Sequence, residues 1–190
     1  MGNSMRFMFD GRKAAQAAAY LVQLNGGRMN YMVLIKLLYL GDRQALIDIG
    51  APITGDRMVA MPHGPVLSRT YDLINMGAPE AGGPCPWYEY LSEPADYEVK
   101  LKKAPETDEL SKYELGLLGD IYAKFGRMSK WALRDYAHTL PEWDDPRGSS
   151  FGIDQLDILR SSGRTEAEIA EMQHEAEETW FMKTLDMTRR

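Results

Sequence analysis

Between Met32 and Leu40 the chain is apolar apart from Lys36 and the Tyr39 hydroxyl, whereas a soluble helix ordinarily keeps one polar face. This pattern predicts a helix from the Asn30 cap to about Asp48, stopped by Gly50 and buried at the centre of the fold with other helices on most sides. An earlier helix, about Arg12 to Leu24, has Asp10 as its cap and Gly26-Gly27 as its stop. Its Ala14, Ala15, Ala17, Ala18 and Ala19 allow close approach of a neighbour. Asp56 to Met61 reads as a brief strand, and Pro65 suits the first turn of a third helix ending near Met76-Gly77. Ala78 to Pro86 reads as an exposed loop. Trp87–Leu91 and Tyr97–Lys102 alternate as a hairpin that would join the earlier strand in one small antiparallel sheet.

Further on, Ser111 caps a helix to Phe125 that Gly126 breaks, and Ser129 caps another to about Leu140. After a loop from Asp144 to Gly152 come a short helix near Asp154 to Arg160 and a long final one. Thr165 and Glu168 form a capping box for that last helix, and Ile169, Met172, Ala176 and Trp180 make a stripe along one of its faces. The expected fold is α+β and mainly α: a helical domain around a buried central helix, with a small antiparallel β-sheet.

Composition narrows what such a domain can do. At 190 residues the chain can bury a core without disulfides or metals. One cysteine, Cys85, excludes an intramolecular disulfide and a cysteine-based zinc site. A net charge of −6 with a pI near 5.1 argues against general binding to nucleic acid. No apolar run reaches membrane-spanning length and the start lacks a signal-peptide core, so the expectation is a cytoplasmic protein without a membrane partner. The twelve methionines read mainly as core filling, with an adaptable binding surface as the alternative.

The pieces flanking the central helix fall in a telling order. Lys36, Leu37, Tyr39 and Asp42 lie on the helix. Gly50, Pro52, Thr54 and Gly55 form a turn after it, and Gly64, Pro65 and Val66 follow. This K-L-x-Y-x-x-D, G-x-P-x-T-G and G-P-V sequence resembles the Panacea domain, the antitoxin domain also called SocA-like. His138 and Trp143 add an H-x-x-x-x-W segment of the same kind. The chain departs from the pattern at Ala60-Met61 and His63, where an Ala-Trp pair and an aromatic are usual. It departs again at Gly41, where a larger residue is usual. The resemblance covers roughly Arg12 to Trp143; the chain is read as a Panacea-like domain over residues 1–150 with residues 151–190 as a C-terminal helical extension packed on it. The resemblance implies a non-enzymatic antitoxin of a bacterial, phage or prophage module, which binds and neutralises a toxin encoded beside it. Some relatives look like adaptors that deliver the toxin to a protease.

Read from the residues alone, candidate chemistry is sparse. No phosphate loop, H-E-x-x-H motif, nucleophile elbow or EF-hand loop occurs, and no cofactor is expected. His63, beside a helix start and near Asp42 or Asp56, is the one conceivable base of a small hydrolase; a polar turn residue is the plainer reading. The helices around Gly126 could mimic a DNA-binding pair with Lys130 and Arg134 on the reading helix, although αα-hairpins are far commoner than DNA readers. His138 and Trp143 read as a structural pair closing a helix end. Asp42 is expected to bond a following turn. Lys36 is expected to extend its amine past the core edge, with partner binding as its alternative role. On the last helix, Glu171, Glu175 and Glu178 belong to an acidic run that is either a solvated face or a surface for a basic partner.

Overall fold

The computed structural model describes residues 4–75 and 85–188. Helix α1 (Gly11–Leu24) starts where the Asp10 carboxylate accepts from the Lys13 N–H at 2.9 Å, and every residue from Ala14 to Ala19 is buried. A short strand β1 (Arg28–Asn30) leads directly into α2 (Tyr31–Ile49). The Asn30 side chain caps α2 by accepting from the Met32 N–H, and Gly50 ends the helix at φ +72°. Every residue from Val33 to Asp42 is buried, and each fully buried leucine there contributes about 2 kcal/mol.

Beyond the turn after α2, strand β2 (Met58–Ala60) pairs antiparallel with β3 (Val66–Leu67), Met58 opposite Leu67 and Val59 opposite Val66. Helix α3 (Ser68–Asn75) therefore begins three residues after Pro65, not at it. The reason is local: Gly64-Pro65 reverses the chain, and the apolar Val66 and Leu67 gain more from pairing with β2 than from a helical turn. The expected end of this helix at Met76-Gly77, and the loop from Ala78 to Pro84, lie outside the described residues.

The expected Trp87–Leu91 strand is instead a helix, α4 (Pro86–Tyr90). Pro86, assigned to the loop, sits in the first turn, where its missing N–H has no helical partner to lose. Trp87 and Tyr90 are buried together at helical i, i+3 spacing, and α4 lies against α1. The partner of strand β4 (Glu98–Lys100) is β1, with Met29 opposite Val99, so the hairpin gives way to pairing between distant segments.

Helix α5 (Lys112–Phe125) carries a complete capping box between Ser111 and Glu114. Helix α6 (Lys130–Ala137) is capped by Ser129 and stops three residues before the expected Leu140. Inside the expected loop, β5 (Phe151–Gly152) pairs with β2, so the described residues form two sheets, β1-β4 and β3-β2-β5, where one was expected. Helix α7 (Gln155–Ser161) packs on α2 after its Asp154 cap. The last helix, α8 (Glu166–Thr188), has the expected Thr165–Glu168 box, and its start is tied to α2 because the Arg164 guanidinium donates to the Ile47 carbonyl. Such a cation at the last carbonyls of a helix satisfies groups that the helix itself leaves open.

The fold is thus α+β and mainly helical, with α2 packed against α1, α5, α6 and α7. Gly41 has a positive reason on this helix: a Cβ there would stand 3.1 Å from Leu118 of α5, so the missing side chain lets the two helices approach.

Candidate functional site

Two buried carboxylates, Asp42 and Glu142, fasten the C-terminal half of α2 to its surroundings, and a third, Asp56, ties the following turn to α3. Asp42 accepts from the Thr54 N–H at 3.0 Å and from the Thr54 hydroxyl at 2.5 Å. Burial pushes its carboxyl up to about 7, against the opposing effect of those two hydrogen bonds. Asp56 accepts from the N–H groups of Arg57, Arg69 and Thr70 and from the Thr70 hydroxyl, so it supplies the cap of α3 from outside the helix. Glu142, whose side chain is wholly buried, accepts from the Tyr39 hydroxyl at 2.8 Å and from Arg43 Nε at 2.6 Å and Nη2 at 3.1 Å. Burial, followed by the Glu142 charge, raises the Tyr39 hydroxyl well above its ordinary value.

Gly50, Pro52, Thr54 and Gly55 are brought together as the turn that Asp42 holds. At Gly55 (φ +67°) a Cβ would lie 2.1 Å from the Met8 carbonyl oxygen, so this turn also seats the N-terminal segment. Leu37 is core. These matched residues are therefore mostly architecture.

The N-terminal half of α2 is different. Lys36 is almost fully buried, and its Nζ donates to the Pro65 carbonyl at 2.7 Å. No carboxylate pairs with it among the described residues, and burial alone lowers its amine to about 7. Gly64 (φ +92°) arches over it; a Cβ there would meet Nζ at 3.1 Å and the Ala137 methyl at 3.3 Å. Beside this turn the His138 and Trp143 rings stack at 3.8 Å, and the indole N–H donates to the Met61 carbonyl. Burial first, then the positive charges of Arg134 and Lys36, lower the His138 imidazole below its ordinary value.

Next to Lys36 opens a cleft of about 440 Å³, within the size range of ligand sites. Tyr31 and Met32 from α2, Met61 to Gly64 from the turn, Tyr71 from α3, Tyr97, and Lys130 and Trp131 from α6 line it. Lys130 Nζ lies over both the Tyr97 and Trp131 rings, at 5.0 and 4.9 Å. Among the described residues no carboxylate lines this cleft. His63 is exposed at its edge, but Asp42 and Asp56 bond the turns elsewhere, so a base-and-carboxylate set for hydrolysis is not assembled.

The remaining candidates separate. In the helix pair around Gly126, Lys130 turns onto the Tyr97 and Trp131 rings at the cleft, and Arg134 pairs with Asp135 at 2.6 Å, so the two cations do not form one surface for a phosphate backbone. Glu171, Glu175 and Glu178 are exposed on α8; Glu178 lies 3.5 Å from His174, and Glu175 lines a groove beside the Gly50–Gly55 turn. The α8 stripe packs inward as expected through Ile169 and Ala176, with Met172 and Trp180 half-buried. Among the described residues no group of three or more His, Cys, Asp or Glu side chains is gathered as metal ligands, and no helix is long and apolar enough to cross a membrane.

The aromatic lining of the cleft was absent from the sequence reading. Tyr31, Tyr71, Tyr97 and Trp131 come from four separate segments and share no spacing that a linear pattern could display. The one available signal was Lys36 itself, a lone charge in an apolar helix.

Comparison with known proteins bears on the same stretch. No curated protein and no solved structure matches the chain. A family model, antitoxin SocA-like, Panacea domain, matches residues 34–144, from the first turn of α2 through the His138–Trp143 pair. That match takes in more than half of the 190 residues, and the chain belongs to the SocA-like antitoxin family with a Panacea domain.

Proposed function

We propose that this protein neutralises a cognate toxin, encoded beside it in a bacterial, phage or prophage module, by direct stoichiometric binding in the cytoplasm. The observation that carries this reading is the antitoxin family match over residues 34–144. The geometry supports binding over turnover, because the buried carboxylates of that region are engaged by a turn, a helix start and the Arg43 guanidinium. In this reading residues 1–150 form the antitoxin domain and residues 151–190 an extension, and the protein acts without catalysis. A protease enters as a second partner if the bound toxin is handed on for degradation.

The acidic face of α8 contributes to the contact through Glu171, Glu175 and Glu178. All three are exposed, and charge complementarity of this kind mainly speeds association and weakens with salt. The test is titration of the purified product of the adjacent gene against this protein, with toxicity and complex formation followed together. Protection should saturate at a fixed molar ratio that matches the complex. Inactivation of excess toxin by substoichiometric protein, with no protease present, overturns the reading.

A further inference from the structure

At the cleft beside Lys36 a buried amine borders an opening with no carboxylate partner among the described residues. We infer that the cleft receives a carboxylate carried on an apolar segment of the toxin, the carboxylate meeting Lys36 and the apolar flank lying against Tyr31, Tyr71 and Trp131. This inference rests on the antitoxin reading and names the chemistry of the contact.

Three observations converge on the anion. An ammonium group has three donors, and Lys36 Nζ has one hydrogen bond among the described residues, to a neutral carbonyl. A buried cation without a partner is costly to hold, and Lys36 shows that cost in the lowering of its amine by burial. The lining also reverses the sign of the chain: among the described residues it carries Lys36 and Lys130 and no carboxylate, in a protein of net charge −6. An anionic segment is therefore drawn to this cleft and repelled by much of the remaining surface.

The walls then specify what surrounds the anion. Trp131 is 49% exposed and Tyr97 61% exposed, and large aromatics presented to solvent around a pocket are the residue types that dominate protein contacts. Tyr97 holds a left-handed backbone (φ +64°), as does Asp96 before it (φ +53°), and its ring stacks 6.1 Å from Tyr31. A non-glycine residue in that conformation carries about 1 kcal/mol of strain or more, and here it places an aromatic ring at the rim. Lys130, held between Tyr97 and Trp131, sets a second positive charge above the opening.

Lys36→Met keeps the buried stem and removes the amine, and Trp131→Ala removes one wall at an exposed position. Association of the full-length variants with the adjacent gene's product is measured by calorimetry, with melting temperatures taken alongside. Each variant should bind the toxin at least tenfold more weakly while melting no lower than about two degrees below the wild type. As a probe of the chemistry, acetyl-Leu-Glu-Phe-amide should compete with the toxin on the wild-type chain, acetyl-Leu-Gln-Phe-amide should compete far less, and Lys36→Met should abolish the difference. Wild-type affinity in Lys36→Met, or equal competition by the two peptides, overturns the cleft assignment and leaves the antitoxin reading standing. A toxin that does not bind the wild-type chain overturns the antitoxin reading and removes the toxin as occupant. Displacement of the toxin by phenylacetate as effectively as by the acidic peptide overturns the peptide segment in favour of a small organic acid.

Discussion

Asp42 and Lys36 are both buried on α2, six positions apart, yet Asp42 receives two hydrogen bonds from Thr54 while Lys36 meets one carbonyl and an aromatic cleft. Around Asp42 the polar groups close on one another: Thr54 bridges to the Asp56 N–H, and Asp56 caps α3. Around Lys36 they do not close, because the Gly64-Pro65 turn offers a single acceptor and the far side opens to solvent. A buried charge that is fully bonded fixes the fold, whereas one left half-bonded at an opening is available to a partner.

The largest test of this contrast is at the closed end. Asp56→Ala leaves three backbone N–H groups and the Thr70 hydroxyl without their acceptor, and should cost about 4 kcal/mol or more, given roughly 1–3 kcal/mol per buried unsatisfied group. Chemical denaturation should show the loss, and a variant within about 1 kcal/mol of wild type would mean that water replaces the carboxylate. Glu142→Ala strips Arg43 and Tyr39 of their shared acceptor and should cost about 3–5 kcal/mol, as other broken buried pairs do.

Gly64→Val belongs between the two ends. Its φ of +92° and the 3.1 Å approach of Lys36 Nζ both oppose a side chain, so a loss of about 2 kcal/mol is expected from backbone strain and crowding together. Intact stability with lost toxin binding would move this turn from architecture to the contact surface.

Much of the closed region was legible because its signals are local. Asp10, Asn30, Ser111 with Glu114, Ser129, and Thr165 with Glu168 each announce a helix start within four residues, and each does cap one. The apolar run of α2 likewise identified the central helix. Pairings between distant segments were not legible: β1 with β4, β5 with β2, and the shared use of Glu142 by Tyr39 and Arg43, about a hundred residues away. Trp87 to Tyr90 misled because four residues fit both a period of two and a single helical turn, and burial against α1 decided between them. The cleft was illegible for the same reason as the distant pairings, since its rings meet only once the chain has folded.

At the open end the expected effect on stability turns on pH. Burial lowers the Lys36 amine from 10.5 to about 7, so between these values the unfolded chain holds a proton that the folded chain has released. Its contribution makes stability rise with pH across that window, with the full penalty present below it. Asp42, raised from 3.8 to about 7, acts oppositely: the folded chain holds the proton longer, and stability falls as pH rises through that range. Lys36→Met should therefore melt at or above the wild-type temperature at pH 6, and its advantage should shrink toward pH 10. His138, His63, Lys130, Tyr31 and Tyr71 face or line the same space and are present in both proteins, so the difference between the two profiles isolates Lys36. A constant difference across pH would mean that the amine is not the titrating group.

Smallest of all in stability is the reversal of Glu171, Glu175 and Glu178 to lysine. These side chains are exposed, so melting should hardly change, while association with the toxin should slow at low salt and converge with wild type at high salt. Equal, salt-independent association would remove α8 from the contact and leave the cleft to account for recognition.

The central claim is that α2 carries architecture at one buried charge and recognition at the other. The most direct measurement is toxin affinity and melting temperature, taken together, for Asp42→Ala and Lys36→Met. Asp42→Ala should lower the melting temperature by several degrees and leave the affinity of the folded protein unchanged, while Lys36→Met should leave the melting temperature unchanged or higher and weaken affinity at least tenfold. Loss of affinity in the folded Asp42→Ala protein, or loss of stability with full affinity in Lys36→Met, would contradict the account.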